Sequence, residues 1–505
     1  VATREEATTG HRPAFEPSFQ QADFLDHLAR KDDHVLLRAR AGSGKSTTCR
    51  QGAWLLADQG WRSTYACFNR HIATEFQRDL PRACRAATLH SLGFAMVRAS
   101  LGDVVVDADK VDKIAAAYFP DRRQRGERLA VCRLVSAAKN LLADADDAGQ
   151  LRQVAGEHDI ELPEGADQEV LGVVPEVLAK CRDDVRTIDL DDMVWLPVAR
   201  GMTATPDHDV LFVDEAQDLN PCQHELVTRL APQARVVVVG DDRQAIYGWR
   251  GADHQSLDTL RDRLAVGMTV AEKRLTVTRR CPQSVVRLAQ AIVPDLDHPR
   301  DAPEGSVGAV PDDRWMEEAR PGDMVLCRTN GPLVSACFQL LRDNRRAFVR
   351  GRDIGKGLLA LIARLRKREV FDLVIAARAH LEREVERANA LPNPGPVIQA
   401  VQDKVSCLLA MCEGADTVEE VRHRVCTLFS DLSEDNAVLL SSVHRAKGLE
   451  RDHVIILRPE LLPGPWAKRP ADQLQELNLA YVAATRARER LTFAGPVPTI
   501  FRHRA

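Results

Sequence analysis

Short, almost wholly apolar runs punctuate this chain, separated by longer stretches in which apolar residues recur at helical spacing. His34 to Leu37, Val210 to Val213 and Arg235 to Val239 are runs of the first kind, as expected of strands buried on both faces. Asp323 to Arg328 is a further strand candidate, with a helix following through Leu341. Thr47 to Leu56 reads as a helix. The stretch 95–205 is rich in Ala, Leu, Asp and Arg and reads as helical, as does 352–432, which includes Gly357 to Arg366 and Asp372 to Glu386. Buried strands separated by helices predict parallel α/β sheets, here with mostly helical segments inserted between their parts. The pattern shows no internal repeat and no long linker.

Composition narrows this picture only a little. A chain of 505 residues is too long for one core, and length alone predicts roughly three to four domain-sized units. With 45% hydrophobic and 28% charged residues it reads as an ordinary globular protein. A net charge of −4 gives no global basic field for nucleic acid, although one basic groove is compatible with it. The 12 cysteines include no C-x-x-C pair, which argues against zinc ribbons and redox motifs. Cysteines so scattered fit a reducing interior, and the polar N-terminus has no signal-peptide pattern. The longest apolar run, near Val236 to Val239, is too short to cross a bilayer. The expectation is a cytoplasmic enzyme without a membrane partner.

Candidate chemistry gathers where the apolar runs end. Ala39-Arg40-Ala41-Gly42-Ser43-Gly44-Lys45-Ser46 follows the first run and leads into the helix that Thr47 continues. A Gly-rich turn between strand and helix turns backbone N–H groups toward a triphosphate, and the helix N-terminus adds partial positive charge. Ala41, Gly42, Ser43, Gly44, Lys45, Ser46 and Thr47 are therefore expected to hold the nucleotide. Lys45 can reach the β- and γ-phosphates and the Ser46 hydroxyl can hold Mg²⁺. The strict pattern has Gly where this chain has Ala39. The second run ends in Asp214-Glu215-Ala216-Gln217-Asp218. Asp214 is placed to complete the Mg²⁺ shell and Glu215 to orient and deprotonate an attacking water. An acidic strand end that merely caps the next helix is the plain alternative. After the third run comes Gly240-Asp241-Asp242-Arg243-Gln244, with Gln244 placed to sense the γ-phosphate or its water. Three such strand ends favour ATP hydrolysis over phosphoryl transfer to a second substrate.

Gly240 to Ala252, reading GDDRQAIYGWRGA, closely resembles motif III of the UvrD/Rep-type helicases of superfamily 1. Ala39 and Ala41 are similar to that family's variant of the phosphate loop. The resemblance runs in order from Gln20-Gln21 to Arg486 and weakens over 95–205 and 352–432. It implies that Gln21 reads adenine, with Gln20 as the alternative, because an amide can bond both N6 and N7 of the base. Phe68 resembles the aromatic of motif Ia. His90, in Thr88-Leu89-His90-Ser91, resembles a contact to the DNA backbone, or is a surface histidine on a capped helix. Arg280 and Arg486 resemble the arginine fingers of motifs IV and VI, which steady charge on the transferring phosphoryl group. His444, in Ser442-Val443-His444-Arg445-Ala446-Lys447-Gly448-Leu449-Glu450, belongs to a stretch similar to motif V, where Glu450 is implied to meet the ribose. Glu476 and Tyr481 match the start of motif VI. Arg279 is a departure: the family has Tyr or Trp there, stacked on adenine, and here a guanidinium plane is left to stack. Tyr247, Trp249 and Arg250 fall on the strand-gripping side of motif III. Tyr247 and Trp249, with Phe68, are expected to stack on successive bases, burial in a core being the alternative.

The motifs divide the chain. Residues 1–94 and 206–254 are expected to form one RecA-like P-loop domain, and 255–351 with 433–505 a second. The inserts 95–205 and 352–432 are expected to form helical accessory domains, the second short for the family. ATP is expected between the two motor domains. The resemblance implies an ATP-dependent DNA helicase working 3′ to 5′ on single strands or single/double-strand junctions, with no appended nuclease. A translocase that strips proteins from DNA, and a motor subunit serving a partner complex in repair, recombination or phage defence, remain open beside it.

Overall fold

The computed structural model describes residues 12, 14–158, 160, 162–163, 165–203, 207–246, 255–389, 393–429 and 436–502; the side chains of 352 and 353 are not described. Contacts divide the chain into two compact units, one of residues 1–40 and 44–275, the other of 41–43 and 276–505.

The first unit is built on six strands: β1 (His34–Ala39), β2 (Ser63–Cys67), β3 (Cys84–Thr88), β6 (Val210–Val213), β7 (Arg235–Gly240) and β8 (Val270–Leu275), with the short strands β4 (Val105–Val106) and β5 (Thr187–Ile188) apart from them. Their order is β3-β2-β6-β7-β1-β8, and every pairing is parallel. The central strands β1, β6 and β7 are the three apolar runs, buried because helices cover both faces of a parallel sheet. Parallel pairing sends all their C-terminal ends to one edge, where ligands bind in such sheets. One face packs Phe24, Leu28, Cys49, Ala53 and Leu56 from helices Phe19–Arg30 and Lys45–Asp58 against Val35, Leu37 and Phe212.

The first insert has a core of its own. Helices Lys110–Ala115, Arg125–Leu141, Ala148–Glu157 and Asp167–Asp183 enclose Phe119, Val131, Leu134, Val174 and Val177. Its base is closed by β4 and β5, which pair Val105 with Thr187 and Val106 with Ile188. The ends of the 95–205 stretch belong instead to the sheet's second face, where Met96, Val97, Val194 and Leu196 pack with Leu211 and Val238.

In the second unit β9 (Ser306–Val310), β10 (Met324–Cys327), β11 (Ala347–Val349), β12 (Val438–Ser442), β13 (Arg451–Leu457) and β14 (Ala487–Ala494) form a parallel sheet in the order β11-β12-β10-β13-β14-β9. The expected strand and helix near Asp323 are Met324–Cys327 and Gly331–Arg342. Two parallel sheets flanked by helices, with helical inserts, are the expected fold class.

One boundary and the packing of one insert differ from the sequence reading. Residues 255–275, expected in the second motor domain, lie in the first unit, because β8 pairs along β1 from His34–Val270 to Ala39–Leu275. This edge strand reads Val-Ala-Glu-Lys-Arg-Leu and is only partly buried, so it lacks the apolar run that marks its neighbours. The insert 352–432 is four helices, Arg352–Leu365, Val370–Ala388, Pro394–Cys412 and Val418–Leu428. Among the described residues it shares its core with the sheet layer: Leu358, Leu373, Leu408 and Val425 pack in one cluster with Val325, Leu333 and Leu440.

Candidate nucleotide site and its family

β1 ends at Ala39 and the helix Lys45–Asp58 begins within one turn of chain. Gly42 and Gly44 make this possible with φ of 69° and 82°, the left-handed region that strains any other residue. Gly44 is the N-cap and brings no side chain to the helix's first turn, so the end is shaped for an anion. Lys45 Nζ lies 3.1 Å from Glu215 Oε1. Burial works against its charge, but Glu215, Asp214 and Asp241 outweigh that and hold its pKa above the ordinary value. Ser46 and Thr47 follow in the same turn.

Asp214 follows β6 directly and is buried. Its carboxylate accepts hydrogen bonds from Tyr65 Oη at 2.9 Å and from the Glu215 N–H at 2.9 Å. Burial, then the charge of Glu215, pushes its pKa up to about 6, against the pull of Lys45 and Tyr65. Glu215 itself has φ 50°, a conformation costing a non-glycine residue about 1 kcal/mol or more. Such strain is characteristic of positions where side-chain direction matters. Gln217 donates to Glu215 and accepts the Asp241 N–H at 3.1 Å. Gln244 Nε2 donates to Asp241 Oδ2 at 2.7 Å. Since β6, β7 and β1 are neighbours, the three motifs sit side by side on one sheet edge.

Gln21 is buried at the start of its helix, in a reciprocal cap with Ser18, and its Nε2 donates to Thr48 Oγ1 at 3.0 Å. Phe68 follows β2 and is 48% exposed; His90 is exposed in the first turn of the helix Leu89–Leu101, which follows β3 directly. Both therefore lie at the same sheet edge as the phosphate loop. Tyr247, Trp249 and Arg250 lie outside the described residues.

Within the second unit, Arg280 forms an ion pair with Glu450 and donates to the Thr485 carbonyl at 3.4 Å. Arg486 is buried, and its guanidinium donates to the carbonyls of Val482 at 2.9 Å and Leu449 at 3.2 Å. Burial, then the nearby Arg280, lowers its pKa to about 9. Arg279 is exposed and His444 half-buried. Glu476, on the helix Pro470–Ala484 that also carries the fully buried Tyr481, accepts from Arg328 at 2.6 and 3.0 Å as a bidentate pair.

The profile of the UvrD/REP helicase N-terminal domain matches residues 20–265, and that of the UvrD-like helicase C-terminal domain matches 426–495. The chain belongs to the UvrD/Rep-type helicases of superfamily 1. This family is built on two RecA-like domains, the identity of the two parallel sheets described above. F-box DNA helicase 1 of Gallus gallus is 23% identical over 94% of this chain and 48% of its own length. The ATP-dependent DNA helicase Rep of Escherichia coli is 27% identical over 44% of this chain and 36% of its own. The ATP-dependent DNA helicase PcrA of Leuconostoc citreum is 25% identical over 58% of this chain and 40% of its own. The chain thus spans about half or less of the length of these relatives.

Four side chains in the network are not singled out by the motifs as read from sequence: Arg40, Tyr65, Gln217 and Asp241. Arg40 carried a signal, a long cation within a run of small residues. Tyr65 did not, since a tyrosine in a buried strand is usual whether or not its hydroxyl has a task.

Proposed function

We propose that this chain is an ATP-dependent DNA helicase and single-strand translocase that steps 3′ to 5′. The observation that carries this is the convergence of Lys45, Asp214, Glu215 and Gln244 at one sheet edge beside a glycine-shaped anion site. In this reading, Ala41 to Thr47 cradle the phosphates and Lys45 leaves Glu215 for the phosphate oxygens. The freed Glu215 accepts the proton of the attacking water, with Gln244 beside it. Ser46 and Asp214 would hold Mg²⁺, which fits a buried carboxylate whose pKa burial and Glu215 push up; bound there, the ion would offset charge on the phosphates. Arg280 and Arg486 supply cations from the second unit, and Gln21, Arg279 and Glu450 serve the nucleoside. Phe68, His90, Tyr247, Trp249, Arg250 and His444 grip the strand. We take 1–94 with 206–275 and 276–351 with 433–505 as the two motors, 95–205 and 352–432 as their inserts, and the cytoplasm as the site of action. Among the described residues no helix is long and apolar enough to cross a membrane.

The merging of the 352–432 helices into the second unit's core favours a second reading. Without a separately packed second accessory domain, the motor would translocate and displace proteins, or serve a partner in repair, recombination or phage defence, without unwinding alone. ATP hydrolysis is to be measured with no polymer, with single-stranded DNA and with RNA. Strand displacement is then measured on duplexes with a 3′ or a 5′ tail. DNA-stimulated hydrolysis with unwinding only from the 3′ tail is expected. Stimulation without unwinding selects the translocase, and no DNA stimulation rejects both.

A further inference from the structure

Arg40 stands at the junction of β1 and the phosphate loop, between two alanines, and its side chain is 11% exposed. Its Nη1 donates to Asp241 Oδ1 at 3.0 Å and to Asp242 Oδ1 at 2.8 Å. Asp241 is fully buried at the end of β7. Its second oxygen accepts from Gln244 Nε2 at 2.7 Å, and its first also accepts the Arg243 N–H at 3.1 Å.

The chemistry of this contact fixes an orientation. An ionised carboxylate only accepts, so the Gln244 amide must turn its NH₂ toward Asp241 and its carbonyl oxygen the other way. That holds only while Asp241 keeps its charge. A protonated carboxyl would present an O–H and accept either face of the amide. Burial opposes the charge of Asp241, and Arg40 is the largest influence that sustains it. The loop that holds phosphate thus also carries the cation on which the orientation of Gln244 depends.

We propose that Arg40 is a positioning residue for Gln244, acting through Asp241. This rests on the reading of Gln244 as a group that meets the γ-phosphate or its water. Arg40 touches no substrate in this scheme; it keeps a buried carboxylate charged and in place, and the carboxylate holds the amide. A tie that merely joins β1 to β7 would use the same bonds, so the test must separate holding the sheet from orienting the amide.

The experiment is a double-mutant cycle on the full chain, comparing wild type, Arg40→Ala, Arg40→Lys, Gln244→Ala and Arg40→Ala/Gln244→Ala. It reads kcat and KM for ATP with saturating single-stranded DNA, and thermal melting of each variant. Arg40→Ala is expected to lower kcat about 10- to 100-fold, the effect of a misplaced reacting group, while KM changes far less. Arg40→Lys keeps the cation and is expected to recover part of the loss. The double variant is expected to be no slower than Gln244→Ala, because Arg40 works only through that side chain. Losses that multiply, or a fall in melting temperature with kcat intact, overturn the proposal. So does Gln244→Ala slowed with Arg40→Ala unaffected, which leaves the function of Gln244 standing. Gln244→Ala at the wild-type rate removes both. If Arg40→Ala does not fold, Asp241→Asn takes its place in the cycle, since it deletes the charge while keeping the volume.

Discussion

Lys45 Nζ rests 3.1 Å from Glu215 Oε1, so the candidate phosphate cation and the candidate base form an ion pair. Bringing a triphosphate to Lys45 must compete with this contact, and the same event frees the carboxylate for water. Glu215→Gln removes the competing charge as well as the base. Its nucleotide affinity is expected to equal or exceed that of the wild type, while steady-state hydrolysis is lost. Lys45→Ala is expected to lose both. Fluorescent-nucleotide titration beside phosphate-release kinetics reads the two effects; near-normal turnover by Glu215→Gln means another group takes the proton.

His34 opens β1, is buried, and its Nδ1 accepts the Val236 N–H at 2.9 Å. A protonated Nδ1 cannot accept. Burial first, and Arg235 next, hold its pKa below the ordinary value. The unfolded chain, with a pKa of about 6.5, therefore takes up this proton more readily than the folded one. The stability His34 contributes is complete above about pH 6.5 and is lost as pH falls through the lower folded value. His34→Asn keeps an acceptor that does not titrate. Its denaturation midpoint is expected to fall less than the wild type's between about pH 7.5 and about pH 5. The change is partial, because burial also lowers the pKa of His208. Equal acid sensitivity of the two proteins counts against the assignment.

The sequence made the central strands legible because burial on both faces leaves an apolar run, and a glycine-rich turn before Lys45 leaves few other readings. Edge strand β8 carries Glu272, Lys273 and Arg274 and was invisible to the same logic, so the boundary was expected some twenty residues early. Helical periodicity marked 352–432 as helical and picked out two of its four helices, but not their neighbours. Whether an insert encloses its own core or shares one depends on which stripe faces what, and spacing along one helix does not record that. At the candidate site, motifs supplied the groups that end each strand. The contacts among them, such as Tyr65 to Asp214 at 2.9 Å, join residues far apart in the chain. They follow from strand order, and an unaligned sequence does not state it.

Arg280 and Arg486 share an expected role but not a setting. Arg280 pairs with Glu450, which is more than a third exposed, whereas Arg486 is buried and its bonds join the helix Pro470–Ala484 to Leu449. Arg280→Ala is expected to melt close to the wild type while losing about 10³-fold in turnover if it acts as a finger. Arg486→Ala is expected to lower melting temperature as well, because a buried side chain and its bonds to Val482 and Leu449 are lost. Calorimetry on both variants, beside hydrolysis rates, separates the roles. Arg486→Ala with unchanged melting would mean these bonds contribute little; Arg280→Ala with unchanged turnover would exclude it as a finger.

The first insert holds a buried charge cluster that the proposed hydrolysis does not use. Lys110 meets Asp192 at 2.7 Å, and Lys139 meets Asp189 at 2.5 Å and Asp192 at 2.8 Å, with all four side chains at most 8% exposed. Asp192 is the shared anion. Its Oδ2 also accepts the Asp189 N–H at 3.1 Å, and the Asp192 N–H returns a bond to Asp189 Oδ1 at 2.7 Å. Asp192→Asn keeps the shape and an acceptor for the backbone but leaves two ammonium groups with one carboxylate among them. Breaking a buried pair from one side costs about 3–5 kcal/mol, since the remaining charge has no water to return to. The helices Lys110–Ala115 and Arg125–Leu141 are each anchored by one of the two lysines, so the loss is expected to fall on the insert. Hydrogen exchange should rise across 110–200 and remain near wild type in β1, β6 and β7. Basal ATP hydrolysis below the new transition should persist, as none of the four groups belongs to the phosphate-binding strand ends. Uniform exchange throughout the first unit would show that insert and sheet unfold together, and an unaltered protein would show that the cluster does not hold the insert together.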